Sequence, residues 1–171
     1  MTSSLLTHIV RSIAYLLMQI ILLQDIVLFD KAFLFVYVMS IILLPVEIGP
    51  LLLIVIGFIT GLTVDIFYNT QGIQASACVL IMFLRPYFFK LSSGGRYEPG
   101  TNLNIREMGV TWFFTFCFPL IFIHHLSIFF TEVTSTTFFI FTFSKALFSS
   151  IFTFVFALLI QYIFIKSKTR S

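Results

Sequence analysis

Few residues of this chain are equipped for chemistry, and most of those stand inside apolar runs. Gly57, Gly61 and Asp65 recur at intervals of four. At 3.6 residues per turn they share one helix face, spread over about 80°. A Gly-x-x-x-Gly pair admits a close neighbouring helix, and a carboxyl group one turn beyond it avoids lipid by pointing into the same contact. The face is a helix-packing or partner-binding surface, and Asp65 is either a proton or ion ligand or a packing residue with a polar partner. The packing role is the simpler one, because a lone intramembrane carboxylate lacks a chain of relay groups. Lys145, Ser149 and Thr153 repeat the same spacing, and Ala157 and Gln161 extend the row. They form a small polar ridge on a helix otherwise built of Phe, Ile and Leu. Asp65 and Lys145 fall at one depth, so an ion pair between them is allowed and lowers the cost of both charges. His124 and His125 lie near that depth, which makes Asp65, His124, His125 and Lys145 a candidate intramembrane polar cluster.

Catalytic patterns are missing from this set. Adjacent histidines on a helix diverge by about 100°, so they do not grip one metal as an i, i+4 pair does; one is expected to face the bundle and the other the interface. Cys78 and Cys117 stand far apart in apolar runs, with neither ligand spacing nor a disulfide framework. No metal and no cofactor is expected. Asp25 and Asp65 both approach the outer surface, as two carboxylates sharing a proton would require, yet no protease motif surrounds Asp25. With Asp30 it reads as an interfacial residue ending a span. Ser149 and Ser150 lack a nucleophile elbow, and Gly94-Gly95 lacks the lysine and helix start of a phosphate loop. No catalytic residue is assigned, and the chain is not expected to be an enzyme. Arg85, followed by Pro86 and Tyr87, is expected to anchor the end of a span at the cytoplasmic interface, snorkelling to lipid phosphates or pairing with Glu107. Trp112 and Tyr97 are expected in the aromatic belt at that level.

The elements that position these residues follow from composition. Of 171 residues, 59% are apolar and 10% charged, against about 25% charged in a soluble domain. The mean hydropathy is +1.08. Apolar surface must face lipid. The reading is an all-α polytopic membrane helix bundle, residues 1–171 forming one integral membrane domain of about six transmembrane spans. These fall near Ile9–Phe29, Phe33–Leu44, Leu51–Tyr68, Ile73–Leu91, Met108–Phe130 and Ser144–Ile165, separated by turn formers and charges. The first apolar run resembles a signal peptide but has no small-x-small cleavage site, so it reads as a retained span. Thr131 to Phe143 either lies along the outer interface or begins a longer, tilted sixth helix.

Charge sets the orientation. With six spans, Arg11, Lys90, Arg96, Arg106, Lys166, Lys168 and Arg170 fall on one side and Lys31 alone on the other. The positive-inside rule then puts both termini in the cytoplasm. The pI of about 9.0 reflects this asymmetry and not a nucleic-acid partner. No internal repeat points to the repeat-built transporter folds.

The stretch Gly57-Phe-Ile-Thr-Gly61-Leu-Thr-Val-Asp65-Ile-Phe-Tyr-Asn69-Thr-Gln-Gly72, running on through Ala75 to Arg85-Pro86-Tyr87, resembles the rod shape-determining MreD proteins in their Bacteroidetes-type form. Leu28-Phe29, Tyr37 through Pro45, Met108-Gly109 with Trp112-Phe113, and Ile123-His124-His125 with Phe129 and Glu132 agree in order and spacing. Ala32 departs from the proline that often starts the second span of that family. The resemblance implies a non-enzymatic component of the bacterial cytoplasmic (inner) membrane that scaffolds lateral peptidoglycan synthesis and regulates cell shape. It implies MreC as partner and, through it, MreB, RodA and its partner transpeptidase, besides membrane lipid. The alternative is a substrate-binding membrane subunit of an energy-coupling-factor vitamin transporter. It needs an outward pocket of convergent polar groups, which Asp65, His124, His125 and Lys145 could line.

Overall fold

A backbone in hydrocarbon must satisfy its own hydrogen bonds, and long apolar runs do so most simply as helices. The computed structural model describes residues 2–24, 26–28, 32–94, 103–132 and 139–164. Among them, four helices are long and apolar enough to cross a membrane: α3 (Pro50–Tyr68), α4 (Ile73–Ser93), α6 (Val110–Glu132) and α7 (Phe139–Phe164). A fifth, α1 (Thr2–Leu22), is as long, but its apolar part is confined to His8–Leu22. Its exposed residues Ile9, Val10, Ile13, Leu17 and Ile21 continue the apolar exterior that α3 and α7 present. The short elements are β1 (Val27–Leu28), β2 (Ala32–Phe33), α2 (Val38–Ile42) and α5 (Ile105–Met108). β1 and β2 pair antiparallel, Val27 opposite Phe33 and Leu28 opposite Ala32.

The expected second span is the main departure. Phe33–Leu44 is helical only over Val38–Ile42, and the residues before it are extended or turn-like. Residues 34–44 are nevertheless only 0–8% exposed. The order of packing explains this. α3 packs on α4, α4 on α6 and α6 on α7; α7 meets β2, and α1 meets α2 and α3. The five long helices thus surround the segment 33–44, which touches each of them. Other bounds differ less. α7 already includes Phe139–Phe143, so that part of the Thr131–Phe143 stretch belongs to a longer helix. Asp25, Asp30, Lys31, Arg96, Tyr97, Lys166, Lys168 and Arg170 lie outside the described residues.

The glycine face is internal. A Cβ built on Gly61 would stand 2.5 Å from Ala75 Cα and 2.6 Å from the Gln74 carbonyl oxygen; one on Gly57 would stand 2.6 Å from Met82 Cγ. α3 and α4 therefore touch backbone to backbone, and this face serves packing within the bundle. Between them Asn69 adopts the left-handed conformation at φ 54° and Gly72 at φ 83°, which turns the chain back within four residues.

Gly61→Ala pushes a methyl group into backbone that has no rotamer to yield. It is expected to destabilise the bundle by about 1–3 kcal/mol, read as a lower melting temperature in detergent. Gly49→Ala, where nothing lies within 4 Å, serves as the control and should leave the melt unchanged.

Candidate functional site

The buried polar side chains converge on the backbone of the central segment. In a strand, successive residues present their N–H and C=O groups to opposite edges. Phe33 and Phe35 present theirs to α7: Phe33 N donates to Ser149 Oγ at 2.9 Å, Phe35 N donates to Thr153 Oγ1 at 3.2 Å, and Phe33 O lies 3.4 Å from Thr153 Oγ1. Leu34 and Val36 present theirs to α1. There the single amide of Gln19 donates to Leu34 O at 2.9 Å and accepts from Val36 N at 2.7 Å. Gln19 Nε2 also donates to Tyr68 Oη at 2.6 Å, which ties α1 to the end of α3. Beyond β2, the backbone from Phe33 to the turn at Val36 is thus bonded on both edges by side chains.

The other end of the segment is held by arginines. Arg85 donates from Nε to Ile42 O at 2.9 Å and from Nη2 to Leu44 O, while Arg11 Nη2 reaches Leu43 O at 2.8 Å. Ser12 Oγ donates to Ser40 O. Successive carbonyls that the short α2 leaves open are closed by charged donors, which make the stronger kind of hydrogen bond. This corrects the expectation that Arg85 anchors the bundle at the interface. It is 2% exposed, and α4 continues beyond Pro86 to Ser93, so it stands well inside its helix. Trp112 is likewise core and not belt, stacked on Phe116 with ring centroids 4.7 Å apart.

Midway along the segment, Tyr37 joins α4 and α6. Its hydroxyl donates to Gln74 Oε1 at 2.7 Å and lies 2.8 Å from His124 Nε2 and 3.6 Å from Cys78 Sγ. A hydroxyl has one proton to give. With that proton on Gln74, His124 carries its own on Nε2 and donates to Tyr37, which leaves Nδ1 as a buried lone pair without a partner among the described residues. His125 takes the other tautomer. Its Nδ1 donates to Ile121 O at 2.8 Å, and its Nε2 accepts from Thr153 at 3.1 Å. The two rings diverge as adjacent helical residues must, but both point inward, one toward α4 and one toward α7, because α6 lies between these helices. The expectation that one would face the interface is corrected.

The four-residue polar cluster is divided by the structure. Asp65 is 3% exposed and accepts from Thr70 Oγ1 at 2.5 Å, Gln74 N at 3.0 Å and Ala75 N at 2.8 Å. It caps the first turn of α4, where free N–H groups and the helix dipole favour a carboxyl group. Lys145 does not pair with it. Its Nζ stands 3.9 Å from Glu132 and above the rings of Phe33 and Phe129, 4.4 and 4.2 Å from their centroids. Asp65 and His124 are linked through Gln74, whose backbone holds one and whose side chain holds the other through Tyr37. Sequence reasoning marked Ser149 and Thr153 as a ridge but missed Gln19 and Tyr37. The signal for Gln19 was present, as a lone amide within an apolar run.

No family model, curated protein or solved structure matches the chain.

In this geometry Asp65→Asn leaves an amide N–H facing backbone N–H groups and should cost about 1–3 kcal/mol. Combined with Lys145→Gln, its effect should be additive within about 0.5 kcal/mol. A double-mutant cycle on thermal stability measures this, and a larger coupling would mean that the two side chains meet. The Lys145–Glu132 cycle should give about 0.2–1 kcal/mol, as for half-exposed pairs.

Proposed function

We propose that this protein is a non-enzymatic, six-pass component of the bacterial cytoplasmic membrane that belongs to the cell-elongation machinery and acts by holding partners in place. The observation that carries the reading is the use made of the polar residues. Gln19, Ser149, Thr153, Arg85 and Arg11 bond backbone, and Asp65 caps a helix. Such a bundle presents a fixed exterior and, among the described residues, no poised reactive pair, which suits a scaffold. The ordered motifs shared with MreD proteins name the machinery, and with it MreC as the direct partner and MreB, RodA and its transpeptidase beyond. The vitamin-subunit alternative needs polar groups free to converge on a ligand, whereas Asp65 and His125 are engaged inside the bundle and Lys145 pairs with Glu132 at its half-exposed edge.

The sixth pass of the count is the segment 33–44. As a helix those residues would rise about 18 Å, short of the ~30 Å hydrocarbon core. With residues 33–36 extended at about 3.3 Å each and the rest at helical rise, they reach about 25 Å. Unwinding lets a short segment cross, and non-helical backbone is tolerated at that depth because protein surrounds it. Counting it as a pass also keeps Arg11 and the basic residues after α4 on one side, with both termini cytoplasmic.

Two experiments test this. Cysteines placed at Gln24 and Gly49, both exposed, should react with an impermeant maleimide from opposite faces of the membrane; labelling from the same face removes the second pass. Depletion of the protein should round rod-shaped cells, and the purified full chain should carry MreC. Unchanged cell shape on depletion, with no MreC bound, refutes the elongation role.

A further inference from the structure

A guanidinium has five N–H groups and a charge that is not titrated away, so its donors can be counted against the acceptors around it. Arg85 is 2% exposed and sealed in the core, whereas Arg11 is half-buried on α1. Arg11 Nη2 spends its two hydrogens on Leu43 O at 2.8 Å and His8 Nδ1 at 2.9 Å. The hydrogens on Nε and Nη1 meet no acceptor among the described residues, and neither atom is among the buried ones left unpaired, so both open to the outside. The charge is no better matched. Among the described residues the one ion pair is Lys145–Glu132, and no described carboxylate comes within 4 Å of Arg11. His8 extends the set of donors. Its Nδ1 accepts from Arg11, so its proton is on Nε2, which has no partner among the described residues either. Both residues stand where lipid begins. The apolar part of α1 starts at His8, and Arg11 is three residues, about 4.5 Å, further in. Val10 and Ala14, beside Arg11 on the helix surface, are exposed. A charged side chain at that depth avoids hydrocarbon by reaching for the headgroups.

We propose that Arg11 and His8 form a binding site for the phosphate group of one anionic phospholipid, whose acyl chains lie along the exposed Val10 and Ala14. A phosphate supplies both what the donors lack and what the charge lacks, several acceptor oxygens and a negative charge, at the one level of the bilayer where they are concentrated. Arg11 then bonds the lipid and Leu43 O at once. The bound lipid thereby steadies the end of the central segment and, like any ligand of the folded state alone, stabilises the bundle.

Native mass spectrometry of the full chain released from nanodiscs of phosphatidylglycerol and phosphatidylcholine tests this. One phosphatidylglycerol should stay bound, and adding that lipid in detergent should raise the melting temperature saturably where phosphatidylcholine does not. Arg11→Lys keeps a charge and a donor for Leu43 O but not the remaining N–H groups, and should weaken the lipid about tenfold; Arg11→Gln should abolish its retention. Arg106→Gln is the control, since that exposed guanidinium bonds Tyr162 O, and it should retain the lipid unchanged. Retention by Arg11→Gln at the unsubstituted level overturns the proposal, as does equal loss in Arg106→Gln, which would mean diffuse attraction to basic residues. A melting shift of the same size with inorganic phosphate would assign the site to free phosphate and overturn the lipid. Should the Arg11 variants fail to fold, a phosphatidylglycerol with a photoreactive glycerol end decides on the unsubstituted protein. Crosslinks within His8–Tyr15 support the site, and crosslinks only elsewhere overturn it.

Discussion

A peptide group buried in hydrocarbon without a hydrogen-bond partner costs about 2–7 kcal/mol, and the stretch from Phe33 to Val36 forgoes helical partners at the centre of a bundle. The rest of the structure is arranged around that cost. Two spacings make the solution possible. Side chains four apart on a helix stand about 6 Å from each other, and N–H groups two apart on a strand stand about 6.6 Å from each other. Ser149 and Thr153 on α7 therefore match Phe33 and Phe35 without distortion of either element. On the opposite edge one glutamine suffices, because its amide has the donor and acceptor of a peptide group and meets Leu34 O and Val36 N as a neighbouring strand would.

The same constraint accounts for the arginines. A helix as short as α2 closes almost none of its own carbonyls, so Ile42, Leu43 and Leu44 need donors from elsewhere. A guanidinium has five N–H groups in a fixed fork and serves two carbonyls at once. Arg85 does this from α4 and Arg11 from α1. Their charges are thereby kept off the lipid face, and the C-terminal end of the broken segment is pinned to two helices, α1 and α4, that do not otherwise pack on each other extensively.

How much of this could be read from the sequence depends on which residues act locally. Hydrophobic run length located α3, α4, α6 and α7 within a few residues, since lipid demands apolar length whatever the packing. The four-residue spacing of Gly57 and Gly61 lies where α4 approaches α3 backbone to backbone, because glycine in an apolar span leaves room for backbone and little else. The partners could not be read. Depth and helix face placed Asp65 and Lys145 together, whereas Thr70, Gln74 and Ala75, five to ten residues further on, satisfy the carboxyl group across a turn. The second span was misread for a related reason. Leu34 to Leu44 has the composition of a buried helix, and its extended start is dictated by hydroxyls on α7, which no local pattern encodes.

An ionisable or amide side chain inside a membrane is by default a sign of a substrate path or proton relay. The default assumes that the backbone looks after itself. Once one buried segment is unwound, its backbone competes for the same polar groups, and here it holds most of them. Gln19, Arg11, Arg85, Ser149 and Thr153 are intramembrane polar residues whose ligand is the chain itself. Ser40, Trp112, Thr142, Gln161 and His124 each keep one buried polar atom without a partner among the described residues, and of these His124 is the imidazole. Its Nε2 proton is fixed on Tyr37 by the single proton of that hydroxyl, and its Nδ1 is left over. A polar residue in such a bundle points to activity only when its groups exceed what the broken backbone and its helix caps consume. By that standard most of this interior is architecture, and the surfaces left open to other molecules are the ends of the bundle and the exposed apolar faces of α1, α3, α4, α6 and α7.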